Sequence, residues 1–476
     1  MLIIYLKTSI FYSNFIILWG FIRVIIFLKT LNYILAFGKY NSSILGPKID
    51  SRRLSRTNMA DEAVRYRDAV LIDEMQKRHL GDFILHSDGS WTISKGDEDV
   101  TQDLDGSKRL ITRSLQNHHT HLAMQLNARD FSDGLALNDW LQKSIFPTEM
   151  RLTPEICAVG TAAAAAEMIK TGSTYACDMY HFPSAIAPVM SDAGLRATIC
   201  GPQTQWPPSA DGDDGAVRTE LESLLASNTP ENKVQYGVAT HAIYTCDEET
   251  LLGGKELAER YEATLQIHIS ETRKEVADCF DQHGMYPVEY LDSIGYFIPG
   301  TVCAHGSWVK KSEMRTLARV GAKVVHCPTS NMKLACGGTL SLPAYLEAGV
   351  DVRLGTDGGA SSGSGLDLLN EARMACLVQR HDHWDASALT AEAAFAMATK
   401  GSQDWAVWNL DDIRMAPYGR SSNRHVSNLI YNGAECLDLW VEGQALRQDG
   451  ETKTMDESKV LNDLNEAVEI YYQDLE

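Results

Sequence analysis

Leu110-Ile111-Thr112-Arg113-Ser114-Leu115-Gln116-Asn117-His118-His119-Thr120-His121 is the stretch on which the fold turns. It opens as a β-type apolar run and ends on histidines, and runs of the same kind recur down the chain. They lie at 173–177, 197–200, 234–240, 264–269, 301–304, 323–326 and 351–355, which with 110–115 makes eight. Helical stretches such as 161–171, 184–193, 220–226, 255–263, 311–320 and 342–348 fall between them. Gly172, Gly194, Gly321 and Gly349 stand where helix C-caps belong. Eight strand–helix units predict an α/β chain closed into a parallel (β/α)8 TIM barrel rather than an open sheet.

Working outward, residues 59–109 are acidic and turn-rich, with strand-like pieces at 83–86 and 91–93. Beyond the barrel, 406–410, 426–431 and 437–441 read as short strands. The two flanks are expected to pair into a small β-sandwich domain, so that 59–109 and 403–450 bracket a barrel at 110–402. A polar helical tail at 451–476 closes the chain.

The 476 residues are 44% hydrophobic and 22% charged, enough for one barrel with a satellite and a large core. A formal charge of −20 repels phosphate backbones and argues against nucleic acid as a partner. Ten cysteines, none in a C-x-x-C pair, read as reduced thiols of a cytoplasmic protein.

Residues 1–58 differ in kind: eight Lys/Arg against the single acid Asp50 give them +7, which leaves −27 for 59–476. Residues 8–28 are apolar enough to span a bilayer, although Arg23 interrupts them. The segment reads either as a membrane anchor or as a mis-assigned start, with Met59 opening the protein proper. A signal peptide fits poorly, because no small-residue cleavage site follows the apolar run.

Catalytic groups of such barrels come from the C-terminal ends of strands. Here those ends carry His119 and His121, His241, His268 with Glu271, His305, and Asp357. Alternate strand residues point the same way, so His119 and His121 can grip one ion. A lone histidine at a strand end is ordinarily a hydrogen-bonded rim residue. Three imidazoles and an aspartate on one rim make a nitrogen-rich, partly anionic site suited to Zn2+, with Fe2+ as the alternative. Glu271 either shuttles protons above the ion or serves as a helix N-terminal acid. His305 can polarise the attacking water; His118 and His326 read as structural, and His181 has no assigned role.

The chain resembles the amidohydrolase superfamily, in the branch of S-adenosylhomocysteine/5′-methylthioadenosine deaminases and triazine hydrolases. The resemblance rests on 117–121, Trp140 through Pro147-Thr148-Glu149, Thr171-Gly172-Ser173-Thr174 with Asp178, 268–272, and Ala304-His305. It continues through Pro328-Thr329-Ser330-Asn331-Met332-Lys333-Leu334 and 354–361, in order over roughly residues 110–400. It implies a mononuclear site with His119, His121, His268 and Asp357 as ligands. It also implies Glu271 and His305 in proton transfer, and Asp357 as base toward the water. Glu149 would recognise ribose hydroxyls, with Arg218 and His241 facing the substrate. Binuclear relatives carry a bridging Lys on strand four; the run 234–240 holds none, which favours one metal and deamination over cyclic-amide hydrolysis.

The pattern is departed from in three places. Arg113-Ser114 replace the usual Pro-Gly, Gly201 stands where some nucleoside deaminases have Arg, and 400–405 is short, from a trimmed β domain or a lesion in the gene. The expected activity is hydrolytic deamination of an adenine-type ring, as in 5′-methylthioadenosine or S-adenosylhomocysteine. Guanine-type or s-triazine hydrolysis is the enzymatic alternative, and a non-catalytic barrel scaffold or a membrane-tethered form stand outside it. A small heterocyclic substrate and a homo-oligomer are the expected partners.

Overall fold

The computed structural model describes residues 63–127, 131–203, 214–363, 365–417 and 424–472, so the leader at 1–58 lies outside the described residues. The small domain begins with β1 (Ala63–Ile72), β2 (Arg78–His86), β3 (Trp91–Ile93), β4 (Gln102–Asp105) and β5 (Arg109–Arg113). The barrel follows as β6 (Leu115–Thr120), β7 (Ser173–Met179), β8 (Arg196–Gln203), β9 (Val234–Thr240), β10 (Leu265–Ile269), β11 (Val302–His305), β12 (Lys323–His326) and β13 (Asp351–Leu354). The chain then returns to the first sheet with β14 (Trp405–Asn409), β15 (Cys436–Val441), β16 (Gln444–Gln448) and β17 (Glu451–Thr452).

Strands β6 to β13 are hydrogen-bonded in sequential order and all parallel, with helices between them. Helix 311–320 ends on Gly321 at φ 70°, a conformation open to a residue without Cβ. The ring closes just beyond β13. Asn117 donates from Nδ2 to Thr356 Oγ1 at 2.8 Å and accepts the Thr356 amide at 3.1 Å. The Asp357 amide then donates to the His119 carbonyl at 3.1 Å. Closure thus locks together two segments that each carry a candidate metal ligand.

The flanking sheet carries its own core of Tyr66, Leu71, Phe83, Ile111, Trp405, Val407 and Trp440. Both chain flanks build it, β5 pairing with β1 on one side and β14 on the other. The run 110–115 therefore divides: 110–113 belong to the small sheet, and the barrel begins at Leu115. Arg113 stacks over Trp405, its guanidinium carbon 3.8 Å from the ring centre, and Ser114 Oγ lies 2.6 Å from Thr174 Oγ1 and 2.7 Å from Ser402 Oγ. This is how the chain fills the place of Pro-Gly. The short passage 400–405 leads straight into β14, and the sheet is continuous through it.

Residues 426–431, expected as a strand, are instead part of a helix, His425–Asn432. Its buried Val426, Leu429 and Ile430 follow the three-and-four spacing of a helix face, which outweighs their β-branched content. The tail forms helix Glu457–Tyr471, capped by Asp456, whose side chain accepts the Lys459 amide at 3.0 Å. Among the described residues no single helix is long and apolar enough to cross a membrane.

Candidate metal and active site

At the C-terminal rim of the barrel a cavity with about 870 Å3 of empty space opens to solvent. His121, His268, His305, Glu271 and Asp357 line its floor, and His119 lies fully buried among them. The Nε2 atoms of His121 and His119 stand 3.0 Å and 3.5 Å from Asp357 Oδ1. Candidate ligand atoms of His119, His121 and Asp357 lie within 4.8 Å of one another, and so do those of His119, His268 and His305. His119 is common to both groups: His121 and Asp357 gather with it in one, and His268 and His305 in the other.

Each of the three histidines is oriented through its other nitrogen. Nδ1 of His119 donates to Gln266 Oε1 at 2.8 Å, that of His121 to the Met179 carbonyl, and that of His268 to the His241 carbonyl at 2.8 Å. With Nδ1 so engaged, each ring keeps Nε2 for the site. Against the effect of burial, Asp357 raises His121 to about 8, and its Nε2 would give up that proton to ligate an ion. His119 Nε2 is buried and has no hydrogen-bond partner. A buried orphan of this kind, beside two more imidazoles and a carboxylate, fits a divalent ion. Burial alone would raise Asp357, but His119 and His121 hold its carboxyl well below the usual range. Burial pushes His268 well down, helped by its imidazole neighbours, so it is neutral and free to ligate.

Asp357 is fixed further by Ser330 Oγ, which donates to Oδ2, and by the Gly358 amide on Oδ1 at 2.8 Å. Asn331 donates to His305 Nδ1 at 3.1 Å, its amide orientation set by Ser307 Oγ, 3.3 Å from Asn331 Oδ1. The neutral ring of His305, pushed down to about 3 by burial, then carries its proton on Nε2, 3.7 Å from Glu271 Oε1. Burial first, and then the Asp357 and Glu275 carboxylates, raise Glu271 well above the ordinary range. A shift in that direction favours the protonated carboxyl and suits Glu271 to proton donation. Ser270, His305 and Asp357 all adopt left-handed backbone, at φ 49°, 72° and 61°. Strain of this sort is sustained where side chains must be aimed at a common point.

Around this floor stand Glu149, His241 and His181, with His181 Nε2 3.8 Å from Glu149 Oε2. His241 donates or accepts at Thr245 Oγ1, 2.8 Å away, and burial lowers it to about 4. Arg218 is a correction: it does not line the cavity. Its guanidinium pairs with Glu222, four residues on along the same helix, at 3.8 Å and lies against Gly253. His118 and His326 are structural, the first bound to the Lys400 carbonyl and the second beside Gln379. Sequence reading missed Gln266, Ser330, Asn331 and Glu275. For Gln266 a signal existed, since it lies two residues before His268 and so shares that strand face.

A closed parallel barrel with this rim defines a metal-dependent hydrolase. The profile of the amidohydrolase family matches residues 111–404, and the chain belongs to that family. It is 35% identical over 394 residues to a 5′-deoxyadenosine deaminase of Methanothermobacter thermautotrophicus, covering 79% of this chain and 90% of the relative. A 5-methylthioadenosine/S-adenosylhomocysteine deaminase 1 of Archaeoglobus fulgidus is 32% identical over 381 residues, covering 76% and 89%. Among solved structures, an adenosine deaminase from Xanthomonas campestris with bound zinc superimposes with a TM-score of 0.79 at 25% identity, covering 86% and 98%.

Proposed function

We propose that the chain is a hydrolytic deaminase of an adenine-type ring carried on a nucleoside, working with one divalent ion, zinc. The observation that carries this reading is the gathering of His121, His268, Asp357 and Glu271 around buried His119 in one cavity, with burial shifting the Glu271 carboxyl toward its protonated form. His119, His121, His268 and Asp357 would hold the ion. When bound, it supplies Lewis-acid activation of a water nucleophile at neutral pH.

The protein's own groups do the rest. Asp357, held ionised, accepts a proton from the attacking water. Glu271 gives its proton to the ring nitrogen next to the attacked carbon, so charge does not build up on the ring. His305 offers its Nε2 proton to the oxygen arriving at that carbon. Asp357 passes the proton it took to the amino group, the C–N bond breaks and ammonia leaves. The hydroxyl proton returns to Glu271 as the ring keeps the new C=O. Glu149 and His241, on the cavity wall, would hold the sugar. Ten cysteines, all buried and unbridged, support a reducing, cytoplasmic setting.

The test is metal analysis of the purified protein together with ammonia release from 5′-deoxyadenosine, 5′-methylthioadenosine, guanine and an aminotriazine. Release from the nucleosides with one equivalent of zinc is expected. No release from any of them at full metal occupancy would overturn the reading, and release from guanine alone would replace the nucleoside by a free base.

A further inference from the structure

We propose that the C-terminal helix belongs to the substrate-binding machinery: its last turn, through Tyr471 and Tyr472, sets the wall that carries Glu149 against the rim segment that starts at His121. The proposal rests on the sugar role given to Glu149 above. Helix Glu457–Tyr471 packs along helix Pro154–Lys170. At its start Glu457 pairs with Lys170 at 3.0 Å and with Arg447 of β16 at 3.4 Å, and it accepts the Thr452 hydroxyl of β17. At its end the Tyr471 carbonyl accepts from Arg151 Nη1 at 3.3 Å. The helix is thus a strut about 21 Å long, rooted in the small sheet and finishing beside the cavity wall.

What the far end touches decides its role. Arg151 follows Glu149 by two residues, in a turn closed by the Leu152 amide on the Glu149 carbonyl at 3.0 Å. Tyr472 Oη donates to Asn127 Oδ1 at 2.6 Å, and Asn127 caps the short 3-10 helix Leu122–Leu126, whose first cap is His121. One turn of helix therefore ties the wall bearing Glu149 to the segment that leaves a candidate metal ligand. Tyr471 fills the space behind them. It is 1% exposed, and among the described residues its Oη has no hydrogen-bond partner. Burial raises this phenol, Thr148 opposes the rise, and the Glu149 charge adds to it, so the hydroxyl lies in the field of the carboxylate it backs. Arg151 and Tyr472 are positioning residues, acting on the sugar through the place where Glu149 stands. Hydrogen bonds weaken steeply with misalignment, so a small shift of this wall costs sugar binding before it costs ring binding.

The test takes Tyr472→Phe and Arg151→Met in the zinc-loaded full chain, since each removes one tie and keeps the bulk. KM for 5′-deoxyadenosine is expected to rise about fivefold to tenfold in each, with kcat within about twofold of the parent. Free adenine has no sugar, so its affinity, read as competitive inhibition, should stay within about twofold. In a Glu149→Gln background either change should add less than about twofold, because the tie has lost what it aims. An unmoved KM in both variants overturns the proposal. So does an equal loss for adenine and nucleoside, or an effect undiminished beside Glu149→Gln, which would make the helix a support of the fold alone. If Glu149→Gln by itself leaves the nucleoside KM unmoved, the sugar role of Glu149 falls and the proposal with it, while the deaminase reading stands.

Discussion

Glu275 accepts the main-chain amide of Glu271 at 2.7 Å with one carboxyl oxygen, and that of Ser270 at 2.6 Å with the other. Ser270 is left-handed, so this double acceptor holds the bend from which the Glu271 side chain is aimed. Cys336 Sγ, 3.4 Å from Glu271 Oε1, steadies the far end. Glu275→Gln has only one acceptor oxygen and leaves a buried N–H without a partner, a loss of about 1–3 kcal/mol. We expect kcat to fall about tenfold to a hundredfold while KM moves less than about threefold and the zinc content is unchanged. Steady-state kinetics beside metal analysis separate these; a lowered zinc content would move Glu275 from aiming Glu271 to building the metal site.

Gln266 stands behind the metal site in the same way. Its Oε1 accepts His119 Nδ1 at 2.8 Å and its Nε2 donates to the Asp178 carbonyl at 3.1 Å, so its amide cannot turn over without losing both. Gln266→Leu keeps the bulk and removes the acceptor that sets the His119 tautomer. Zinc affinity, read by competition with a coloured chelator, is expected to drop about tenfold to a hundredfold. Unchanged affinity would mean that packing alone orients His119.

These two residues mark what was legible in the sequence and what was not. The strand ends were readable because each ligand sits at the close of its own apolar run, as His268 does in β10. Their supporting partners come from other strands: Gln266 is 147 residues from His119, and periodicity says nothing about such pairs. The division at Ser114 was hidden because β5 and β6 are both β-type, and only the pairing of β5 with β1 and β14 separates them. Residues 426–431 misled by composition, although the burial of Val426, Leu429 and Ile430 is helical in spacing. Arg218 was assigned by resemblance, yet Glu222 four residues later already offered it a partner on its own helix.

Glu149 carries the sugar part of the reading and can be tested apart from the chemistry. It is buried and lines the cavity, where His181 Nε2 lies 3.8 Å from its Oε2. Glu149→Gln keeps the shape but replaces one acceptor oxygen by a donor, so a ribose hydroxyl meets an N–H instead. The kcat/KM for nucleosides should fall about tenfold to a hundredfold, and that for free adenine should change little. Equal losses on both would remove ribose recognition from Glu149.

Glu371 gives a pH signature unrelated to turnover. It is fully buried, accepts the Thr329 amide at 2.9 Å with one oxygen, and leaves the other without a partner. Burial, with Asp357 and Asp367 adding repulsion, raises its carboxyl from 4.5 to about 8. Between those two values the folded chain keeps a proton that the unfolded chain has lost. Raising the pH therefore draws the equilibrium toward the unfolded state, by about 1.4 kcal/mol per pH unit from this group. Glu371→Gln still accepts the Thr329 amide through its carbonyl oxygen and has no proton to lose, so the slope should vanish. Melting curves of the two proteins should lie close near pH 5 and separate steadily toward pH 8, with the Gln variant the more stable at the alkaline end. A difference that stays constant across that range would mean the carboxyl is already ionised in the folded protein, with Thr329 alone holding its charge.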